Sequence, residues 1–387
     1  MNKLTDQRFQ SSTLNCKFNA MGLPFDEYIK QTQNTITRSR TDLNSANCTQ
    51  VIAANSPCEH VPHTGKATCA IVLLHGFLDS PAVMSSLFEH YRNKNYLVRS
   101  LLLPGHGTRP GDLLHVQLEE WIKASKYTID CCRRQADKVI VIGFSAGASL
   151  AILQAYCEQN CDALVLFAPA IRVKSKIAYY SHWIKLLSGR WQRARWANVG
   201  ADNDYSKYQS FPFNAVHQIA RLSQLTIKNY QRRPLGIPQF VIMTNDDEVI
   251  DPKSILQYFQ AHQDPYNRMV VYSNQDLKFS DPRVSVTASA MMEKNILDYS
   301  HVCLPVAPEH NHYGESGNYT DFFYHQSSLG KHFTKNGDAE LFFGANSLKH
   351  LKKYNLARLR YNPRFNALMT QVDCFIEKVV GLGTGTK

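Results

Sequence analysis

The chain has 387 residues, of which 44% are hydrophobic and 19% charged, so its composition is that of a globular protein and excludes wholesale disorder. Its 43 Lys and Arg against 32 Asp and Glu give a formal charge of +11, which is typical of proteins that meet nucleic acid, an anionic membrane or an anionic substrate. Its ten cysteines contain no C-x-x-C pair and do not indicate a disulfide scaffold, a zinc ribbon or a redox motif.

The start of the chain has no apolar run of the length found in secretory signals. The longest uncharged stretch, Val139–Cys157, divides into a β-branched strand, a small-residue turn and a helix, so we do not expect it to span a membrane. We therefore expect a cytoplasmic protein whose cysteines are free thiols.

From Cys69 onward, short apolar segments alternate with segments of helical character. The predicted strands are Cys69–Leu74, Tyr96–Leu103, Val139–Ile142, Ala163–Phe167, Gln239–Met243 and Met269–Tyr272. Short, nearly all-apolar strands separated by helices are typical of a parallel sheet that is covered on both faces, so the predicted fold class is α/β.

The last helix follows from a single apolar stripe at three-four spacing. The stripe consists of Phe365, Leu368, Met369, Val372, Phe375, Ile376 and Val379. Elsewhere the region between two core strands, residues 171–235, is rich in aromatic and basic residues and is interpreted as a helical cap inserted into the core. The core itself is predicted to comprise residues 68–170 and 236–387, with residues 1–67 as an extension that packs on it.

The strongest chemical signal is the sequence Gly143-Phe144-Ser145-Ala146-Gly147, which matches G-x-S-x-G between a predicted strand and a predicted helix. A sharp strand-to-helix turn holds its middle residue at strained backbone angles and needs small neighbours on both sides. Ser145 is therefore predicted to be a catalytic nucleophile. The alternative is a glycine-rich turn that only packs.

A second signal is His75-Gly76-Phe77, at the end of the Cys69–Leu74 strand and about 70 residues before Ser145. This position fits a loop that donates a backbone N–H to an oxyanion hole. The expected donors are the amides of Phe77 and Ala146, and His75 is expected to be structural.

Together with Leu103-Pro104-Gly105-His106-Gly107 and a late Asp and His, these motifs resemble the α/β-hydrolase superfamily, most closely its bacterial carboxylesterase and monoacylglycerol-lipase branch. The resemblance covers roughly residues 68–305. It implies an α/β-hydrolase fold with a mostly parallel central sheet, helices on both faces and a helical cap. It also implies hydrolysis of carboxylic esters through a Ser–Asp–His triad, with no metal and no organic cofactor.

The resemblance places the triad acid in the loop after the Gln239–Met243 strand. The match to the family pattern is Asp247, which precedes Glu248-Val249-Ile250-Asp251-Pro252, and Asp246 is the alternative. An acid here would orient the histidine and stabilise its imidazolium form. The loop could instead serve only to cap the helix that begins near Pro252.

The base is expected on a loop after the last strand, and Ser300-His301-Val302 matches the family pattern. His301 is therefore the predicted base, with His310 and His312 as competitors; we do not expect these two to bind a metal. The chain departs from shorter members of the branch here, because residues 276–299 form a polar insertion before His301 and about 85 residues follow it.

Other functions stay open at this point. The same triad serves thioesterases, acyltransferases and amidases, and a catalytically silent hydrolase-fold lipid-binding protein is a further alternative. We expect no nucleic acid partner, since no helix-turn-helix, zinc-finger or RNP motif accompanies the positive charge. The predicted partner is a small-molecule acyl ester, and the oligomeric state cannot be read from the sequence.

Nearly all of the excess charge lies in one segment. Residues 171–240 hold 12 Lys and Arg against Asp202 and Asp204, and three of the four tryptophans, Trp183, Trp191 and Trp196. Basic residues interleaved with tryptophan are typical of a surface that contacts anionic lipid. The other interpretation is a solvated cap whose tryptophans face the pocket.

Overall fold

The computed structural model describes residues 5–62, 66–94, 96–175, 192–320 and 340–381. The strands are β1 Cys58–His60, β2 Ala67–Leu74, β3 Leu97–Ser100, β4 Ala136–Phe144, β5 Ala163–Phe167, β6 Trp196–Asn198, β7 Phe211–Pro212, β8 Gln239–Thr244, β9 Arg268–Ser273, β10 Val284–Ala288, β11 Leu341–Gly344 and β12 Asn355–Arg358. The α-helices are α1 Phe25–Ser39, α2 Cys48–Asn55, α3 Ser85–Asn93, α4 Leu118–Arg133, α5 Ala146–Cys157, α6 Phe213–Arg232, α7 Pro252–Gln260, α8 Leu348–Leu351 and α9 Phe365–Gly381.

The central sheet has eight strands in the order β1-β3-β2-β4-β5-β8-β9-β10. Every neighbouring pair is parallel except β1 and β3, which are antiparallel. The predicted mostly parallel α/β sheet is therefore confirmed. The carboxyl ends of β4 and β8 lie at one edge of this sheet, where ligands bind in open α/β folds.

Two apolar clusters cover the two faces of the sheet. Along β2 the side chains alternate between them: Ala70 and Val72 belong to one cluster, and Ile71 and Leu73 to the other. Because successive side chains of a strand point to opposite faces, a strand with helices on both sides is apolar at every position. The predicted stripe of the last helix is confirmed, since all seven of its residues are buried in the second cluster.

The second predicted strand, Tyr96–Leu103, is longer than the observed strand β3, Leu97–Ser100. The regular strand ends at Ser100, and the backbone amides of Leu102 and Leu103 donate to side chains instead of to a neighbouring strand. The amide of Leu102 donates to the Tyr28 hydroxyl and that of Leu103 to His75 Nε2. Side-chain acceptors brought in from distant segments thus replace the strand ladder.

The stretch 276–299, interpreted above as a polar insertion, contains the edge strand β10, parallel to β9. Ser285 and Val286 are exposed on it, as expected for an edge strand that has lost the all-apolar signature of a central one.

Within the segment 171–235 the described residues are not only helical. They include the short antiparallel pair β6–β7 and the helix α6, and α6 contributes Ala215, Ile219 and Leu222 to the first apolar cluster. Trp183 and Trp191 lie outside the described residues. Trp196 is buried and packs edge-on against Phe9, with ring centroids 5.0 Å apart, so it does not face solvent.

The amino-terminal residues pack closely on the core. The carboxylate of Asp112 accepts hydrogen bonds from Ser11, Ser12 and Thr108. Across the described residues, no helix is both long and apolar enough to cross a membrane.

Candidate active site

Ser145 occupies the sharp turn between β4 and α5. Its backbone angles are φ 54° and ψ −113°, a conformation that costs about 1–3 kcal/mol and persists only where neighbours enforce it. Its amide donates to the Phe167 carbonyl at 2.8 Å, and its carbonyl accepts from the amides of Ser149 and Ala170. These bonds fix the turn from both sides.

The glycines of the motif are required by close approach. A Cβ at Gly143 would lie 2.5 Å from the Cα of Ala148, and a Cβ at Gly147 would lie 2.1 Å from the carbonyl oxygen of Leu74. Real Cβ atoms do not come so close to backbone, so α5 could not start where it does with larger residues at either position.

Ser145, His301 and Asp247 lie in one hydrogen-bonded chain. His301 Nε2 is 2.9 Å from Ser145 Oγ, and Nδ1 is 2.7 Å from Asp247 Oδ2. Asp247 is fully buried, and its Oδ1 accepts the amides of Val249 and Ile250, both at 2.8 Å. With the proton on Nδ1, the ring donates to Asp247 and is free to accept the Ser145 proton.

The competing residues lie elsewhere. Asp246 accepts a long hydrogen bond from the Asn274 amide at 3.4 Å, and burial together with the nearby charge of Asp298 raises its pKa to about 6. His310 lies 3.2 Å from the Ala82 carbonyl, and His312 contacts Asp204. Among the described residues, no group of three or more His, Cys, Asp or Glu is arranged to hold a metal ion.

Phe77 lies in the loop after β2, and Ala146 directly follows Ser145 at the start of α5. Neither amide donates a hydrogen bond to another of the described residues. His75 is buried, with Nδ1 donating to the Gly76 carbonyl and Nε2 accepting from Leu103, and burial lowers its pKa to about 4. It is a neutral residue that joins two backbone segments.

Three further residues around the acid and base were not predicted. Glu248 Oε2 accepts the backbone amide of His301 at 2.9 Å, and Lys174 donates to the backbone carbonyl of Asp247. Arg358, on β12, lies 3.2 Å from Glu248 Oε1. Glu248 is adjacent to the predicted acid and could have been suspected, but no pattern in the sequence links Arg358 to a loop that precedes it by more than 100 residues.

Comparison with known proteins places this chain in a family. The model of the family described as serine aminopeptidase, S33, matches residues 65–275. A thermostable monoacylglycerol lipase of Bacillus sp. (strain H-257) is 24% identical over 197 residues, which cover 49% of this chain and 75% of the relative. A carboxylesterase of Bacillus subtilis (strain 168) is 20% identical over 186 residues, which cover 48% of this chain and 74% of that protein.

Among solved structures, the monoacylglycerol lipase of Paleococcus ferrophilus aligns with a TM-score of 0.46 and 17% identity. The alignment covers 58% of this chain and 91% of that lipase.

The protein is an α/β hydrolase, an enzyme of the serine-hydrolase class. More particularly, the chain belongs to the S33 serine aminopeptidase family, and the curated relatives confirm the predicted resemblance to its esterase and monoacylglycerol-lipase branch.

Proposed function

We propose that the enzyme hydrolyses carboxylic esters through a Ser145–His301–Asp247 triad and an acyl-enzyme. The observation that carries the proposal is the continuous hydrogen-bonded chain from Ser145 Oγ through the His301 ring to the buried Asp247 carboxylate. The strained turn at Ser145 supports it further, because strain of this kind is retained where function needs it.

The proposed reaction assigns a role to each of these groups. Ser145 Oγ attacks the ester carbonyl while His301 Nε2 takes its proton, and the amides of Phe77 and Ala146 bind the resulting oxyanion. The imidazolium then returns the proton to the departing alcohol, which leaves an acyl-serine. Water repeats the sequence and releases the carboxylic acid, while Asp247 stays ionised and stabilises the imidazolium.

For the substrate we propose an acyl ester resembling a monoacylglycerol, on the basis of the relatives named above. In this proposal residues 171–235 serve as a cap over the core, and residues 1–67 as an extension that packs on the core. The proposed catalytic steps use only side chains and backbone amides of this chain.

The central test is the substitution Ser145→Ala. It should lower the turnover of p-nitrophenyl esters by at least about 10⁴-fold, because the covalent intermediate can no longer form. Ser149→Ala is the matched control: this serine lies one turn further along α5 and its buried hydroxyl has no partner among the described residues. Undiminished turnover in Ser145→Ala would contradict the proposal.

The same variants separate the alternatives. A fluorophosphonate probe should label the wild type and not Ser145→Ala, whereas a catalytically silent binding protein would label in neither form. A series of esters, thioesters and amides with matched acyl chains distinguishes the leaving groups, and an acyltransferase would form acylated acceptor instead of free acid.

Contact of the basic insertion with an anionic membrane stays a prediction. Arg172 and Arg193 are exposed, which favours it, but Trp196 is buried and gives no support. Flotation with vesicles is the measurement, and equal binding to neutral and anionic vesicles would remove the prediction.

A further inference from the structure

We propose that the cap positions the oxyanion hole: the segment 207–211, here called the clamp segment, holds the loop 75–79, here called the oxyanion loop, in its catalytic geometry. This inference rests on the proposed function, because it assigns a task to the amide of Phe77 in that reaction.

Consecutive residues of the oxyanion loop each contact the clamp segment. Lys207 Nζ lies 2.8 Å from an Asp79 carboxylate oxygen, and the two side chains are only 18% and 5% exposed. The amide of Tyr208 donates to the Leu78 carbonyl at 2.9 Å. The ring of Phe211 meets the ring of Phe77 edge to face, with centroids 5.9 Å apart.

The oxyanion loop needs such support because its backbone is strained. Leu78 has a φ of 67°, in the left-handed region that a bulky side chain rarely adopts. The carbonyl that Tyr208 binds belongs to this same residue. Strain is kept in one conformation only where the surroundings over-determine it, and here the clamp segment supplies a bond at that point.

Asp79 closes the loop onto itself. Its amide donates to the Gly76 carbonyl at 3.3 Å, and its carboxylate lies so close that a Cβ at Gly76 would be 2.6 Å from Oδ2. The Lys207 ammonium therefore holds a carboxylate that is folded over the peptide bonds next to the Phe77 amide. Loss of one partner from a mostly buried ion pair is strongly destabilising, because the other charge is left buried without a counter-ion.

The clamp segment is itself firmly attached. Asp202 Oδ1 accepts the amides of Gln209 and Ser210 at 2.6 and 2.7 Å, and Arg8 binds the other oxygen of Asp202 at 3.0 Å. The Tyr208 side chain is buried, with its ring stacked over His106. The clamp segment can therefore transmit a fixed geometry from the core to the oxyanion loop.

Loss of the contact between the clamp segment and the oxyanion loop should weaken binding of the oxyanion in the transition state. Both acylation and deacylation pass through an oxyanion, so a displaced Phe77 amide slows both steps and leaves their ratio, and hence KM, nearly unchanged. A displacement short of complete removal of the donor should cost about tenfold in kcat.

The experiment compares Lys207→Met, Asp79→Asn and the double variant with Lys207→Arg. We expect kcat for p-nitrophenyl butyrate to fall about tenfold in both single variants, with KM changed less than about twofold. The double variant should be no worse than either single one, and Lys207→Arg should recover most of kcat. Affinity for an aryl boronic acid, which forms a tetrahedral adduct on the serine, should fall by the same factor as kcat.

Lys228→Met is the matched control, since it removes an exposed lysine from α6 in the same insertion. Unchanged kcat in folded Lys207→Met, or an equal loss in Lys207→Arg, would overturn the inference. If Lys207→Met does not fold, Phe211→Leu tests the same contact from the other end, and full activity there overturns it. An inactive wild type, or an active Ser145→Ala, would instead refute the proposed function.

Discussion

The proposed nucleophile and its two proposed partners reach the candidate active site by different routes. Ser145 is held by its own motif, because Gly143 and Gly147 allow β4, α5 and the end of β2 to meet within a few ångströms. Asp247 and His301 lie 54 residues apart on separate loops. Their loops are joined by Glu248 and by contacts from the carboxyl-terminal part of the chain.

The two halves of the site should therefore respond differently to mutation. On the Ser145 side, one added methyl group would collide with backbone and force α5 or β2 to shift. On the acid–base side, several polar contacts together hold Asp247 and His301 in place. Loss of one supporting residue should therefore lower stability and activity only in part.

The largest effect is expected for Gly147→Ala. The new Cβ would lie 2.1 Å from the Leu74 carbonyl oxygen, so α5 or β2 must shift and the protein should lose more than about 4 kcal/mol of stability together with its activity. Gly236→Ala is the control, because nothing lies within 4 Å of a Cβ there. Thermal unfolding and ester turnover are the measurements. A stable, active Gly147→Ala enzyme would show that the turn between β4 and α5 can accommodate a larger residue than its contacts indicate.

Asp247→Asn should lower kcat by about 10⁴-fold with little loss of stability, because the amide keeps the shape but no longer stabilises the imidazolium. Asp246→Asn is the matched neighbour and should retain nearly full kcat, since Asp246 turns toward Asn274. Steady-state kinetics of the pair decide the acid. The reverse pattern would assign that role to Asp246.

Arg358→Met tests the shared support on the acid–base side. It leaves the carboxylate of Glu248, only 9% exposed, without its cation, so we expect a loss of about 3 kcal/mol in unfolding free energy and a fall of about tenfold in kcat. Removal of both charges in Glu248→Gln/Arg358→Met should restore much of the stability. The control is Lys353→Met, which changes an exposed residue just before β12. If Arg358→Met and Lys353→Met had the same unfolding free energy and the same kcat, Arg358 would not support the acid–base side.

The smallest effect concerns pH and stability. Burial raises the pKa of Asp246 to about 6 from an ordinary 3.8, with the nearby charge of Asp298 acting in the same direction. The folded protein therefore keeps a proton that the unfolded chain releases, and stability falls as pH rises from about 4 to about 6. Asp246→Asn should flatten this decline and raise the melting temperature at neutral pH, whereas Asp276→Asn, at an exposed position, should not.

Local sequence patterns were sufficient to predict those features that depend on a single strand, helix or turn. The apolar strands, the stripe of α9 and the G-x-S-x-G turn are properties of consecutive residues, so their structure follows from strand alternation, helical periodicity and glycine sterics. The edge strand β10 escaped the same reasoning because a strand with one solvated face loses the apolar run that marks a buried one.

Local sequence patterns thus specified the central strands of the sheet, the turn at Ser145 and the candidates for acid and base. Folding of the whole chain selects the candidates that meet Ser145, and it brings Arg358 to Glu248 and Lys207 to Asp79. The physical reason is that a strand or a turn is encoded by neighbours along the chain. An ion pair between distant segments depends instead on how the elements pack in the folded chain, and no local sequence pattern predicts which residues will pair.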